Sequence, residues 1–443
     1  MQTTKLSIVD TFGLGFMAFA FFLGAGNLIF PPFAGFLAGE NMSLAMVGFL
    51  LTAVGMPLIG LIAVAKANGK IMAYLPPLAA TALAIAIYII IGPAFAAPRT
   101  SLVAFEIGVR PFIINPDAVM MIAGQAINIA QLIFTLVFFS IVMFMSLYPG
   151  KLLDNVGKVL TPILLTLLVA LAMSVMFIPG SAVGSPSAEY LASPLSKGIL
   201  EGYNTMDTLA SLMFGMLIID LLRKKGVNNV ADQTKYLIRA AIIAASGLAF
   251  VYISLFFLGA SAGDLANGAS NGGVILTNYV DHNFGMLGII MLSTVVGLAC
   301  LTTAIGLVTA CSEFFNELLP SVSYKGFVII FSVVCATVAN VGLSQLISIS
   351  IPVLMTIYPV AIALVLVTFI TPQFARPELS QRLILSVALA FGVLDGLKTG
   401  GFDMSTFNFL PLHAEGMAWL LPTVIVSVVC LFLPKRDQTA SAA

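Results

Sequence analysis

Phe21-Phe22-Leu23-Gly24-Ala25-Gly26-Asn27-Leu28-Ile29-Phe30-Pro31-Pro32 sits in the middle of an apolar run from about Leu6 to Leu37, long enough to cross a bilayer. Two glycines, an asparagine and two prolines are the residues least suited to that middle. Glycine gives up helix stability, and proline removes a donor and clashes with the turn before it. In lipid an opened backbone has no water to fall back on, so a break survives only where it is buried or lines a cavity. Two readings fit these residues. In one, a membrane helix breaks around Gly24–Asn27 and restarts near Pro31, and the freed amides and carbonyls hold a ligand at mid-membrane. In the other, a continuous helix carries a proline kink and small residues for close packing.

Working outward, composition fixes the class. Of 443 residues, 60% are hydrophobic and 9% charged, against roughly 25% charged in a soluble domain. The chain is read as an all-α polytopic membrane protein. A formal net charge of zero gives no case for nucleic acid, and the lipid bilayer is the expected surrounding. Cys300, Cys311, Cys335 and Cys430 lie scattered in apolar runs without C-x-x-C spacing, so they read as packing residues. His282 and His413 fall far apart in loop-like sequence, which argues against an imidazole metal site. Pro-Pro-Phe follows the first span instead of a small-x-small cleavage site, so no cleavable signal is expected.

Apolar runs predict about twelve spans, near 6–38, 43–65, 71–98, 119–148, 156–178, 198–222, 233–262, 284–312, 325–342, 345–371, 381–397 and 417–434. With an inside N-terminus, the inside loops hold 15 of the 19 Lys and Arg residues, including Lys5, Lys151, Lys435 and Arg436. The outside holds the other four: Arg99, Arg110, Lys197 and Lys398. This asymmetry puts both termini in the cytoplasm and the protein in the cytoplasmic membrane.

A second anomaly lies in the sixth span, where Gly202-Tyr203-Asn204-Thr205-Met206-Asp207 interrupts an apolar stretch. Such a core is costly in a membrane unless it faces a cavity or partners. Thr208 to Leu222 alone is short for a span, which favours the polar core lying inside the bilayer over an outside loop. The two breaks fall five spans apart, so they run in opposite directions. Broken helices at corresponding places in two halves point to an inverted-repeat transporter and its site. The repeats would cover about 6–178 and 198–371, with additional helices at about 381–434. In the eighth span, Ala299-x-x-Thr302-Thr303 offers hydroxyl and carbonyl oxygens suited to a hard cation such as sodium. Ordinary small-residue packing fits that segment equally.

The stretch at 21–32, with Ala97-Pro98-Arg99-Thr100 and Phe105-Glu106, resembles the bacterial branched-chain amino acid:cation symporters of the amino acid–polyamine–organocation superfamily. The similarity runs along the whole chain. It implies a LeuT-like 5+5 inverted repeat with broken helices 1 and 6 and two extra helices. It also implies uptake of leucine, isoleucine and valine with sodium, or with protons in some members. By resemblance, Gly24, Ala25, Gly26 and Asn27 form the unwound segment, with the Ala25 and Gly26 amides on the substrate carboxylate. Tyr203, Asn204, Thr205 and Met206 line the amine and side-chain end of the pocket. Carbonyls of Ala20 and Leu23 meet Ala299, Thr302 and Thr303 around sodium. No cofactor beyond the coupling ion and no obligate protein partner is implied.

Two residues keep divided roles. Asp207 is the acidic residue placed near the pocket, either pairing with the substrate amine or a proton, or capping the restarted helix. Arg99 is either a buried partner, with Glu106 as its candidate, or an outside anchor. A membrane-embedded enzyme would need His, Asp, Glu, Ser or Cys concentrated at one depth, and a channel would need polar faces or charged rings. Neither pattern is present in the sequence, so a carrier is expected.

Overall fold

Apolar runs without water must satisfy their backbone internally, and the helix is the form in which one segment does this alone. The computed structural model describes residues 6–116, 118–122, 125–148, 153–177 and 183–434. Lys5, Lys151, Lys435 and Arg436, which belong to the charge count, lie outside the described residues.

The first pass is α1 (Ile8–Phe22) followed by α2 (Ala25–Ala38), and the second is α3 (Met42–Leu50) with α4 (Met56–Lys66). The third joins α5 (Pro77–Ile89) to α6 (Ala96–Gly108) across a kink whose Gly92 is non-helical. A hairpin of β1 (Val119–Ile122) and β2 (Gln125–Asn128), antiparallel, precedes α7 (Ile129–Ser146), the fourth pass. α8 (Thr161–Phe177) is the fifth, and a short α9 (Ala188–Ala192) leads to the sixth, α10 (Pro194–Asn204) and α11 (Asp207–Lys224). Then follow α12 (Val230–Ala260), α13 (Gly272–Leu318, bent at Gly285), α14 (Tyr324–Val338), α15 (Leu343–Ile370), α16 (Pro377–Thr399) and α17 (Leu420–Leu431).

Among the described residues nine helices are long and apolar enough to cross a membrane, ten with the bent pair α10–α11. α1 and α17 are shorter apolar helices, and α1 completes the first pass with α2. Each of the twelve expected spans therefore has a helical counterpart, with shifted boundaries.

Three boundary shifts correct the sequence reading. The first pass restarts at Ala25, directly after the break, and Pro31 and Pro32 lie inside α2. The third pass runs on to Gly108, so Arg99 is 3% exposed instead of an outside anchor. Its supposed partner Glu106 pairs with Arg110 at 2.7 Å. The fourth pass starts at Ile129, because 119–122 and 125–128 pair as antiparallel strands and not as a helix. β-Branched and apolar residues in a short run support either period, and here the strand won.

The packing around the broken passes is paired. α1 and α2 both pack along α12, while α10 and α11 pack along α3 and α4. A Cβ on Gly35 would collide with the Phe256 carbonyl, and one on Gly259 with the Pro32 carbonyl. Likewise, Gly48 and Gly198 face the Leu195 and Ala45 carbonyls across α3 and α10. Lipid tails give helices no hydrophobic reason to associate, so close backbone approach through small residues holds such pairs.

Candidate functional site

The first break is short and closed by its own sequence. The Leu23 amide still donates to Phe19 O at 2.8 Å, and the Gly24 amide donates to Phe22 O at 2.7 Å. Gly24 then becomes extended (φ −110°, ψ −161°) and starts α2. Asn27 Oδ1 accepts from the Gly24 amide at 3.0 Å, so the third residue of α2 reaches back over the break. The amides of Ala25 and Gly26 stand in the first turn, where a helix supplies no partner.

The second break is confined to Thr205 and Met206, with Gly202, Tyr203 and Asn204 still helical. Thr205 Oγ1 donates to Gly202 O at 2.8 Å, and the Met206 amide donates to Tyr203 O at 2.9 Å. Met206 takes φ 66°, left-handed and uncommon for a side chain of this kind. The chain resumes as α11 at Asp207, 41° off the axis of α10.

The two breaks meet. Asn27 Nδ2 donates to Asp207 Oδ2 at 2.6 Å, and Tyr252 of α12 donates its hydroxyl to the same oxygen at 2.8 Å. Asn27 Nδ2 also contacts the Tyr252 hydroxyl directly. Asn27, Asp207 and Tyr252 are all buried. The Tyr358 hydroxyl of α15 accepts from the Thr208 amide at 3.2 Å, holding the start of α11.

A small cavity of about 20 Å³ opens beside this joint. Gly24, Ala25, Gly26 and Asn27 line it from the first pass, and Thr205, Met206 and Asp207 from the sixth. Phe21, Phe22, Phe214 and Leu307 supply apolar wall, while Arg99 and Thr100 enter from α6. Tyr203 and Asn204 are not on its wall. Tyr203 stacks on Tyr358 with ring centroids 4.3 Å apart, and the Asn204 side chain donates to Glu201 at 3.1 Å. Only the Asn204 carbonyl comes close to Gly26.

Next to the cavity is a cluster of neutral oxygens. Thr302 Oγ1 lies 3.2 Å from Ala20 O and 3.0 Å from Ala299 O, and Thr303 Oγ1 lies 3.0 Å from Ala20 O. Leu23 stands at the break itself, and its carbonyl accepts no hydrogen bond from Thr302 or Thr303 among the described residues. Thr303 belongs to both places: its hydroxyl is in the cluster and its side chain lines the cavity. Among the described residues no group of three or more His, Cys, Asp or Glu could hold a metal ion, so a cation here would meet uncharged ligands.

Sequence reasoning did not place Arg99 or Tyr252 at this site. The arginine directly follows residue 98, where the apolar run at 71–98 predicts the end of the third span. Tyr252 is one of several hydroxyls in α12, with Ser246 and Ser254 on either side, and carries no signal of its own.

Nine to ten membrane-crossing helices among the described residues, with two broken passes meeting at one buried polar cavity, define a polytopic membrane protein. Residues 7–437 match the family described as branched-chain amino acid transport protein. The chain belongs to that family, whose members are transport proteins and not enzymes. It is 46% identical to the branched-chain amino acid transport system 2 carrier protein of Pseudomonas aeruginosa, over 99% of this chain and 100% of that one. It is 40% identical to the branched-chain amino acid permease BraB of Bacillus subtilis, covering 96% and 95% of the two chains. It is also 40% identical to the permease BrnQ of Escherichia coli, over the full length of both. Among solved structures it resembles MhsT in complex with L-phenylalanine, with a TM-score of 0.53, 16% identity and coverage of 97% and 98%. That likeness carries the LeuT-like fold alone.

Proposed function

We propose that the protein is a secondary active transporter importing leucine, isoleucine and valine by symport with sodium through alternating access. The observation that carries this reading is the double membership of Thr303, which touches both the cavity and the oxygen cluster. A cation held by Ala20, Ala299, Thr302 and Thr303 would fix α1 against α13. It would thereby set the shape of the cavity wall that an amino acid meets. The printed names of the relatives support the branched-chain substrates.

An amino acid brings two charges that must not be buried bare and an aliphatic chain that wants a dry wall. The Ala25 and Gly26 amides, at the positive end of α2, suit the carboxylate. Asp207 and the Thr205 hydroxyl suit the ammonium, and Phe21, Phe22, Met206 and Phe214 suit the aliphatic chain. Sodium can favour the substrate-accepting state only by binding it more tightly than the other. The paired packing of broken passes along the second and seventh passes supports two repeats, about 6–178 and 198–371. The distribution of basic residues supports cytoplasmic termini in the cytoplasmic membrane.

A proton-coupled carrier of the same fold is the second reading, and the buried carboxylate of Asp207 at the cavity is the observation behind it. Saturable uptake with counterflow of labelled leucine tests the carrier. Uptake unchanged when choline replaces sodium would remove the sodium coupling and leave the proton.

A further inference from the structure

We propose that Arg99 receives the α-carboxylate of the transported amino acid, alongside the Ala25 and Gly26 amides. The inference rests on the amino-acid carrier reading above and names a binding residue of that same site.

Arg99 is 3% exposed and lines the cavity together with Gly26 and Asp207. A buried guanidinium carries five donors in a rigid fork and no acceptor, and burial without partners is costly. Here Nε has no hydrogen-bond partner, and among the described residues the guanidinium donates no hydrogen bond to the protein. Its Cζ lies 5.3 Å from the centroid of the Phe30 ring. Asp207 shares the cavity but forms no direct ion pair with Arg99 among the described residues, and its Oδ2 is held by Asn27 and Tyr252. One cation and one anion therefore face a common space, attracting each other across it without direct contact. That pattern complements a zwitterion, with the carboxylate toward Arg99 and the ammonium toward Asp207.

Gly26 makes the arrangement possible. A Cβ there would lie 2.6 Å from Arg99 Nη2, so the guanidinium is laid against the bare backbone at the start of α2. The fork and the first-turn amides thus address one point, and a carboxylate is the planar, two-oxygen anion that matches both.

The test is binding of L-leucine and L-leucinamide, which keeps the ammonium and side chain but lacks the carboxylate, to the purified full chain in sodium buffer. Wild-type protein is expected to prefer L-leucine strongly. Arg99→Ala should weaken L-leucine at least about thirty-fold and change L-leucinamide by less than about threefold. Arg99→Lys, which keeps the charge but loses the fork, should show the same selectivity loss in smaller measure. Equal losses for both compounds, or no loss for either, would overturn the assignment. If Arg99→Ala fails to fold, Arg99→Lys and Gly26→Ala decide by the same comparison, since a methyl on Gly26 displaces the guanidinium. Wild-type protein that binds neither compound would instead overturn the amino-acid reading beneath the proposal.

Discussion

Asn27 Nδ2 donates to Asp207 Oδ2 at 2.6 Å, so one side-chain bond joins two helix breaks 180 residues apart in the chain. The same asparagine closes its own break through Oδ1 on the Gly24 amide. Asn27 thus closes the first break and ties it to the start of the helix that follows the second, both buried away from lipid.

Asn27→Ala removes the cap, worth about 1 kcal/mol, and leaves buried donors and acceptors short of partners at roughly 1–3 kcal/mol. A lower unfolding midpoint in detergent and loss of leucine uptake are expected together. Tyr252→Phe keeps the Asn27–Asp207 bond and should cost only about 1 kcal/mol. An Asn27→Ala protein with wild-type midpoint and uptake would show that the joint is incidental.

The oxygen cluster makes a second prediction. Thr302→Ala and Thr303→Ala should each raise the half-saturating sodium concentration for leucine uptake about tenfold, near 1.4 kcal/mol for a lost ligand. Thr302→Ser and Thr303→Ser keep the hydroxyl and should stay close to wild type. Unaltered sodium dependence in both alanine variants would remove this cluster from the coupling mechanism.

Gly24 gives an independent probe of the same corner. A Cβ at Gly24 would sit 2.9 Å from Thr303 Cγ2 and 3.1 Å from its Oγ1, while the backbone there is extended and tolerates a side chain. Gly24→Ala should therefore fold, yet displace Thr303 and lower apparent affinity for leucine and sodium together. A loss confined to one of the two would separate the cavity from the cluster.

Helix pairing predicts a contrast between glycines. Gly259→Leu must displace the Pro32 backbone and should cost 3 kcal/mol or more, at or beyond the roughly 1–3 kcal/mol typical of overpacking. A Cβ on Gly297 meets nothing within 4 Å, so Gly297→Ala should be neutral or stabilise by up to about 1 kcal/mol. Thermal unfolding of the two variants in one detergent makes the comparison, and equal midpoints would contradict the close-packing account.

Much of this was legible in the sequence because membrane helices announce themselves by length and apolarity. Gly24–Asn27 and Gly202–Asp207 were visible because polar and glycine residues are costly at that depth. Their extents were not. Tyr203 and Asn204 remain helical in α10, and Pro31 and Pro32 fit within α2, since a proline removes a bond without requiring a restart. Arg99 read as external because the apolar run ends at 98, whereas the chain kinks at Gly92 and continues as helix to Gly108. Which side chains turn toward Asp207 depends on packing between distant passes, and no local pattern around Tyr252 encodes it.

Accumulation of labelled leucine in proteoliposomes, with sodium and proton gradients imposed separately, tests the central claim most directly. An inward sodium gradient alone should drive leucine above its external concentration, and collapse of that gradient should release it. Accumulation driven only by the proton gradient, or mere equilibration under both, would contradict sodium-coupled transport.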